Sequence, residues 1–266
     1  MSETTMAQPL HVPTIEGGRA LIVGGTSGVG YAAAEALAEL GLGSVVLVGR
    51  DAQRGADAVA RLAGQGIAAE FIPADATVAG EATRVVSRSE EGGAIDFVIN
   101  STVPTTIPID LVHRTDIDTF ATTLTQFALP PLHVTRAVLP FMRERRGGAI
   151  VNVASDAAKV PTPGESVIGA AMAGIVMFSR VTALEARRDG VRVNAVTPSL
   201  IADTPTTDRV TAGGFSASLF GKAAKAAALG VASARDVADA AVFLCDARSA
   251  RTTGQVISVN GGISVA

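Results

Sequence analysis

Several residue types that often mark a function are scarce in this sequence. Its 266 residues include no tryptophan, one tyrosine, one cysteine and three histidines. A single cysteine excludes an intramolecular disulfide framework, and Cys245 lies in the apolar stretch AVFLCDARS, which is typical of a small core residue. His113 and His133 have no second ligand-type residue at metal spacing beside them, so we expect no metal site.

An excess of one charge is also missing. The 22 basic and 25 acidic residues give a net charge of −3, and the lysines and arginines are scattered, so nucleic acid is not an expected partner. The start, MSETTMAQPLHVP, lacks the basic and then apolar layout of a signal peptide. No apolar run approaches the ~18 residues that cross a bilayer. We therefore expect a cytoplasmic protein with no membrane partner.

Apolar residues of small and medium size are what the sequence does contain. Hydrophobic residues make up 48% of the chain and aromatic residues only 4%, which is typical of helices packed on parallel strands. Helical segments separate most of seven strand-like runs, namely ALIVGG, SVVLVG, IAAEFI, IDFVIN, GAIVNVAS, VRVNAV and GQVISV. This alternation predicts an α/β fold: a single-domain, Rossmann-like, doubly wound and mostly parallel sheet of about seven strands with helices on both faces.

One domain is expected over residues 17–266, after a polar N-terminal tail over residues 1–16. Ligands of such sheets bind beyond the carboxyl ends of the strands. Residues 203–230 follow the sixth predicted strand and form the one long stretch without strong periodicity. Segments of this kind often cover binding sites, so we predict that residues 203–230 are a substrate lid.

A glycine-rich turn, GGTSGVG, joins the first predicted strand to an amphipathic helix. Gly24, Gly28 and Gly30 suit a turn in which backbone amides approach a pyrophosphate at a helix N-terminus. The alternative is a tight turn that binds nothing. The position between a strand and a helix favours a dinucleotide site.

The end of the second predicted strand indicates which dinucleotide. Gly49 and Arg50 stand where a site for NAD usually carries an acidic residue. A guanidinium pairs bidentately with a 2′-phosphate, so Arg50 favours NADP(H) as the cofactor. Alternatively, Arg50 is a solvated residue and Asp51 is the N-cap of the next helix, a role that Asp51 can hold in either case.

With these motifs in this order, the chain resembles the short-chain dehydrogenase/reductase family from about residue 17 to its end. The further shared marks are PADAT around Asp75, Asn100 after the fourth strand, Ser155 after IVNVA, RVNAVTPSLI and TTGQVISVNGG. The resemblance implies that Asp75 bonds the adenine, that Asn100 helps to hold the cofactor loop, and that Pro198 to Ile201 meet the nicotinamide carboxamide. The full set of implied cofactor contacts is Gly24, Thr26, Ser27, Gly28, Val29, Gly30, Arg50, Asp75, Ala76, Asn100, Pro198 and Ile201.

The resemblance also implies where catalysis would occur. The family uses a serine, a tyrosine and a lysine four residues apart, and an asparagine on the preceding long helix. Ser155 matches the serine, whereas the tyrosine, lysine and asparagine positions fall on Ile168, Met172 and Phe127. A positioned acid contributes ~10²- to 10⁴-fold to rate, and neither Ile168 nor Met172 can supply a proton.

Three polar neighbours are candidates to replace that acid: Asp156, Lys159 and Glu165. Three functions are compatible with such a site. The first is an NADP(H)-linked oxidoreductase with an atypical acid, which reduces a carbonyl or an activated double bond. The second is a redox-inactive subunit that binds NADP(H) and stabilises an active relative or senses the cofactor. The third is a non-redox lyase, isomerase or cyclase whose apolar pocket shapes a hydrophobic substrate.

The helix around Met172 also predicts an assembly. From Val167 to Phe178 it is apolar nearly all round, so it needs cover on both faces. The sheet would cover one face, and a partner subunit the other. We expect a homo-oligomer, a dimer or tetramer, held through the helices that contain Phe127 and Met172, with a hetero-oligomer that includes an active relative as the alternative.

Overall fold

The computed structural model describes residues 9–104, 106, 107 and 109–266. The strands in this part of the chain are β1 (Arg19–Val23), β2 (Ser44–Gly49), β3 (Ala69–Pro73), β4 (Phe97–Asn100), β5 (Gly148–Val153), β6 (Val191–Pro198), β7 (Ile201–Ala202), β8 (Ala232–Ser233) and β9 (Val256–Val259). Seven of them form one parallel sheet in the order β3-β2-β1-β4-β5-β6-β9, and β7 pairs with β8. The seven predicted runs supply these seven strands, so the predicted Rossmann-like fold is confirmed.

Helices cover both faces of the sheet. Their bounds are α1 (Gly28–Glu39), α2 (Ala52–Gly64), α3 (Ala79–Glu91), α4 (Thr119–Glu144), α5 (Ser166–Ala186), α6 (Pro205–Thr211), α7 (Gly214–Ala226) and α8 (Ala234–Cys245). Helices α1, α2 and α8 pack on one face, and α3, α4 and α5 pack on the other. Side chains alternate along each strand, so Ile22 faces the first layer and Leu21 the second.

A buried arginine closes the end of α8. Arg192, at the start of β6, donates to the carbonyl oxygens of Leu244 at 2.6 Å and Cys245 at 2.8 Å and to the Ser249 hydroxyl at 2.9 Å. The last carbonyls of a helix have no intrahelical partner, so this guanidinium satisfies groups that would otherwise be buried unpaired. Burial raises the pKa of the Cys245 thiol to about 12, as expected for a core residue.

Helix α5 corrects one sequence expectation. By length and composition, Ser166–Asp189 is apolar enough to cross a membrane, since it contains an 18-residue window with a mean hydropathy of 1.8, although no such run was expected. The charged Arg180 interrupts the apolar run, but the mean hydropathy of the window remains high enough for a membrane span. A core helix meets the same criterion, and α5 packs against α4 and β6. This one helix is therefore weak evidence for a membrane span.

The predicted lid is more regular than its sequence indicates. Residues 203–230 contain α6 and α7, and the β7–β8 pair joins the two ends of the segment. Of the predicted tail, residues 1–8 lie outside the described part of the chain. Residues 9–16 pack onto the domain: the His11 amide donates to the Arg146 carbonyl at 2.9 Å, and Ile15 is buried.

Candidate functional site

A cavity of about 320 Å³ opens at the carboxyl edge of the sheet. The loops that follow β1 to β6 meet there, as expected for a doubly wound sheet. Fourteen of the residues that the resemblance assigns to cofactor binding or catalysis line this cavity: Gly24, Thr26, Ser27, Gly28, Val29, Arg50, Asp75, Ala76, Phe127, Ser155, Ile168, Met172, Pro198 and Ile201. Gly30 and Asn100 lie behind this wall.

The glycine-rich turn is shaped by close backbone contacts. Gly24 has a φ of +81°, and a Cβ there would lie 2.3 Å from the Ser101 carbonyl oxygen. A Cβ on Gly30 would lie 2.4 Å from the Gly24 carbonyl oxygen. The turn therefore packs tightly against the loop after β4 and against the first turn of α1, and it points the helix N-terminus at the cavity.

Arg50 and Arg54 lie together at the rim of the cavity. Asp51 caps α2 by accepting from the Arg54 backbone amide at 3.0 Å, which confirms its N-cap role. That bond, together with the Arg54 guanidinium 3.0 Å from the carboxylate, lowers the pKa of Asp51. Among the described residues, Arg54 has an acidic partner and Arg50 has none.

Buried polar groups support the wall from below. Asn100 donates to the Asn152 side-chain oxygen at 2.8 Å, and Asn152 donates to the Ser179 hydroxyl at 2.9 Å. This chain of bonds ties β4, β5 and α5 together. On the adjacent loop, the Asp75 carboxylate accepts from the Thr77 amide at 3.0 Å and from its hydroxyl at 2.7 Å, so its orientation is fixed.

Neither His113 nor His133, the two histidines considered as possible metal ligands, lies in the cavity wall. His133 Nδ1 lies 3.1 Å from the Ala76 carbonyl oxygen, and His113 is exposed. The described residues contain no group of three histidine, cysteine, aspartate or glutamate side chains arranged to hold a metal ion.

The far end of the cavity is apolar. Phe127, Ile168 and Met172 belong to one buried cluster, to which Ile107 and Ile109 add from the segment before α4. Pro130 also lines the cavity, and Pro130 and Pro131 interrupt α4 one turn after Gln126 and Phe127. Neither proline has an amide hydrogen, so the carbonyls of those two residues lack their usual helical donor.

Ser155 stands at the boundary between the polar and apolar ends. It is half-buried, follows β5 and caps a short 3-10 turn, where its Oγ accepts from the Ala157 amide at 3.2 Å. That bond uses an oxygen lone pair and leaves the hydroxyl hydrogen available to a further acceptor. A ligand oxygen in the cavity can be that acceptor.

Two of the three candidate acids point elsewhere. Asp156 is buried, accepts from the Ser264 hydroxyl at 2.9 Å and also bonds the Asn260 amide. Lys159 lies 3.7 Å from the other Asp156 oxygen and donates to the Ala266 carbonyl at 2.8 Å. These bonds fasten the last residues of the chain to the loop after β5. Neither side chain lines the cavity.

Glu165, the third candidate, does line the cavity. It is the residue before α5 and is half-buried, and its carboxyl makes no hydrogen bond or ion pair with another described residue. Burial raises the pKa of the Glu165 carboxyl to about 7. A carboxyl with this pKa is populated in both its acid and its base form at neutral pH.

Some of the cavity wall is not evident from the sequence motifs. The segment 203–230 contributes apolar and polar side chains, and α4 and the segment before it contribute others: Ile107, Ile109, Gln126, Thr204, Thr206, Thr207, Arg209 and Phe220. Phe220 and Arg209 are on the lid helices α7 and α6. Residues 203–230 contain two aromatic residues, Phe215 and Phe220, and the sequence does not indicate which of them faces the cavity.

The comparisons with known proteins agree on one family. A family model described as enoyl-(acyl carrier protein) reductase matches residues 23–264. The chain belongs to the short-chain dehydrogenase/reductase family. A solved short-chain type dehydrogenase/reductase from Mycobacterium ulcerans has a TM-score of 0.86 at 26% identity, covering 94% of this chain and 91% of that one.

Curated relatives place the chain in the same family. A 3-oxoacyl-(acyl carrier protein) reductase of Vibrio harveyi is 31% identical over 252 residues, which cover 94% of this chain and 98% of the relative. Subunit BbsC of a hydroxy(phenyl)methylsuccinyl-CoA dehydrogenase of Thauera aromatica is 33% identical over 249 residues, which cover 92% of this chain and 94% of the relative. The short-chain dehydrogenases/reductases are oxidoreductases that use nicotinamide cofactors on small-molecule substrates, and they are commonly oligomers.

The residues of the cavity fit such a cofactor. Gly28 lines the cavity with a φ of +53°, and a Cβ built there would meet no atom within 4 Å. A side chain would therefore stand in the open space at the N-terminus of α1, where a pyrophosphate is favoured by the helix dipole. The Ser27 side chain makes no capping bond to the helix and remains available to a ligand.

Proposed function

We propose that this short-chain dehydrogenase/reductase binds NADP(H) and reduces a carbonyl or an activated double bond of a hydrophobic small molecule, with an atypical acid in place of the family's tyrosine. The observation that carries this proposal is that Ser155 and Glu165 line the same cavity as the glycine-rich turn and Arg50. A hydrogen-bond donor and a titrating carboxyl thus lie in the space that the cofactor would enter. When bound, the reduced nicotinamide supplies a hydride.

The preference for NADP(H) rests on charge. Arg50 is exposed at the rim without an acidic partner in the described part of the chain, and Arg54 lies beside it. A 2′-phosphate would supply the negatively charged partner that Arg50 lacks. The apolar end around Phe127, Ile168 and Met172 supports a hydrophobic substrate, since a polar group there would lose its hydration without gaining a partner.

The test combines cofactor binding with a substrate panel. NADPH and NADH are titrated against the purified protein, and NADPH consumption is then followed with α-diketones, β-keto esters and enones. We expect NADPH to bind and at least one compound to be reduced, with a lower rate for Ser155→Ala. Binding of NADPH without reduction of any compound would overturn the reductase proposal.

A second function is a redox-inactive NADP(H)-binding subunit that stabilises an active relative. The name of one similar protein and the apolar residues of the site both favour it. One relative is named as a subunit of a dehydrogenase. In this chain the positions that the family gives to tyrosine, lysine and asparagine carry Ile168, Met172 and Phe127, which have no proton to transfer. Copurification of a second family member from the native host would support this function over the first.

The outer face of α5 supports an assembly in either case. Met177, Val181 and Leu184 follow one another at helical spacing, and their exposures are 57%, 46% and 61%. Together they form an apolar stripe on the side of α5 opposite Met172. We propose that this stripe holds a dimer or tetramer. Light scattering of the wild type and of Val181→Asp tests it: a monomeric wild type would contradict the proposal.

A further inference from the structure

Glu165 shares a helix face with the positions that the family uses for catalysis. Residues three and seven positions apart fall on one side of a helix, and Glu165, Ile168 and Met172 have this spacing. All three line the cavity. The carboxyl therefore lies about one turn before Ile168, on the side of α5 that faces the cofactor residues.

The start of α5 is held against the loop that carries Ser155. The Glu165 carbonyl accepts from the Gly169 amide at 2.6 Å, and a Cβ on Gly169 would lie only 2.9 Å from the Ala157 carbonyl oxygen. The absence of a side chain at Gly169 thus lets the first turn of α5 approach the backbone two residues after Ser155. This contact brings the first turn of α5 close to the loop that carries Ser155, and both Ser155 and Glu165 line the cavity.

The lid shields Glu165 from water. Gly164, the residue before it, is buried, and a Cβ on Gly164 would lie 2.7 Å from the ring of Phe215 on α7 and 3.1 Å from Ile109. Phe220, also on α7, lines the cavity itself. These apolar groups pack around the residue next to Glu165, whose carboxyl loses hydration by burial, and that loss disfavours its charged form.

The charged side chains on the elements around Glu165 pair with other groups or lie elsewhere in the cavity wall. Asp156 and Lys159 on the loop after β5 face the last residues of the chain, and Asp110 on the segment before α4 lies 4.0 Å from Arg114. The lid contributes Arg209 to the cavity wall. Burial is the cause of the raised pKa of the Glu165 carboxyl, and none of these charged groups opposes it.

We propose, on the basis of the reductase function proposed above, that Glu165 is the acid of this site and gives the proton to the oxygen of a bound carbonyl substrate. Ser155 donates a hydrogen bond to the same oxygen. The hydride leaves a C–H bond of the reduced nicotinamide, which would thereby be oxidised, and forms the new C–H bond with its electron pair, while the π pair of the C=O bond moves to oxygen. The Glu165 O–H bond then breaks as the substrate O–H bond forms. The resulting carboxylate recovers its proton from water, because Glu165 is only half-buried.

The first test needs neither substrate nor cofactor. The protein is labelled with ¹³C at the glutamate side-chain carboxyls and titrated by NMR as wild type, Glu165→Gln and Glu185→Gln. Glu185 is an exposed glutamate on the same helix and serves as the matched control. We expect one signal that titrates near pH 7 in the wild type and the control and is missing in Glu165→Gln. Its absence from the wild type, or its persistence in Glu165→Gln, would overturn the proposal.

The second test uses any compound that the wild type reduces. Glu165→Gln should lower kcat by roughly 100-fold or more with an unchanged Kd for NADPH, because it removes a positioned acid and no cofactor contact. Glu165→Asp, which keeps the carboxyl, should recover part of kcat, and Glu185→Gln should match the wild type. The wild-type kcat should fall as pH rises through about 7, because only the protonated carboxyl donates, and the fall should be missing in Glu165→Gln.

The outcomes separate the two proposals. Equal kcat for the wild type and Glu165→Gln would overturn the role of Glu165 and leave the reductase function standing. A wild type that binds NADPH and reduces no compound would overturn the reductase function and, with it, the role of Glu165, whatever the NMR titration gives. Loss of activity on Glu165→Gln with no recovery in Glu165→Asp and an unchanged pH profile would assign Glu165 a structural role and overturn the proposal.

Discussion

Replacing Arg50 by alanine tests the cofactor preference most directly. Arg54 is held by Asp51 at 3.0 Å, so its charge is already partly balanced, whereas Arg50 stands at the cavity rim without an acidic partner among the described residues. A hydrogen bond to a charged group contributes about 1.5–3 kcal/mol. Arg50→Ala should therefore weaken NADPH binding by roughly 10- to 150-fold.

NADH provides the internal comparison, because it lacks the 2′-phosphate. Its Kd should change little in Arg50→Ala, so the ratio of the two dissociation constants is the quantity to measure, by calorimetry at fixed ionic strength. Arg54→Ala is the matched control, and its effect on NADPH should be smaller because Asp51 already neutralises that side chain. A wild type that binds NADH as tightly as NADPH, or an Arg50→Ala variant that weakens both cofactors equally, would refute the assignment of Arg50.

Three further predictions follow from buried groups. Relative to the wild type, Glu165→Gln should gain up to about 3 kcal/mol in its free energy of unfolding as pH rises from 4.5 to above 7. The reason is that the folded wild type keeps the Glu165 proton over this range, whereas its unfolded chain releases it. Denaturant unfolding at several pH values measures the difference between the two proteins, and a difference that does not change with pH would contradict the prediction. Arg192→Met should lower the melting temperature by about 5 to 15 °C, since the Leu244 carbonyl and its neighbours lose their donor, while NADPH affinity stays unchanged. Ile168→Tyr combined with Met172→Lys should raise the reduction of simple ketones above the wild-type rate if the variant folds and binds NADPH; an inert variant that does both would favour the subunit function.

The sheet was predictable because its strands are buried on both faces. Runs such as SVVLVG and VRVNAV contain little but apolar residues, and each is followed by a glycine, proline or polar turn at the carboxyl edge. Because ligands of such sheets bind at the carboxyl edge, the position of the cavity was predictable as well. Asp51 was predictable as an N-cap because the capping bond is local and needs only the next turn of helix.

The lid was harder to predict because its helices are short and half-covered. Gly213 precedes α7 and Gly214 is its first residue, and α7 has no buried residue, so no strong apolar face marks it in the sequence. Helix α5 shows the opposite problem. It is so rich in apolar residues that its inner and outer faces cannot be told apart until its packing is known.

The three candidate acids illustrate why local sequence was insufficient at the site. Asp156, Lys159 and Glu165 lie within ten residues and are equally polar, but their surroundings come from distant parts of the chain. Asp156 is engaged by Ser264, more than a hundred residues away in sequence. Glu165 follows Gly164, and nothing in the sequence indicates that Gly164 packs against Phe215, about fifty residues later in the chain.

Helix α5 would connect the proposed chemistry of the site to the proposed assembly of the protein. Its inner face carries Glu165 and the apolar residues Ile168 and Met172 into the cavity, and its outer face carries the exposed stripe that includes Met177 and Leu184. A partner that covers the stripe would fix the axis of α5, and with it the distance between the carboxyl and the substrate. Proton transfer is sensitive to such distances, since a donor must come within hydrogen-bond reach of the atom it protonates. An isolated protomer would therefore keep the titrating carboxyl but hold it less firmly against the cavity, so assembly and turnover should be lost together when the stripe is disrupted.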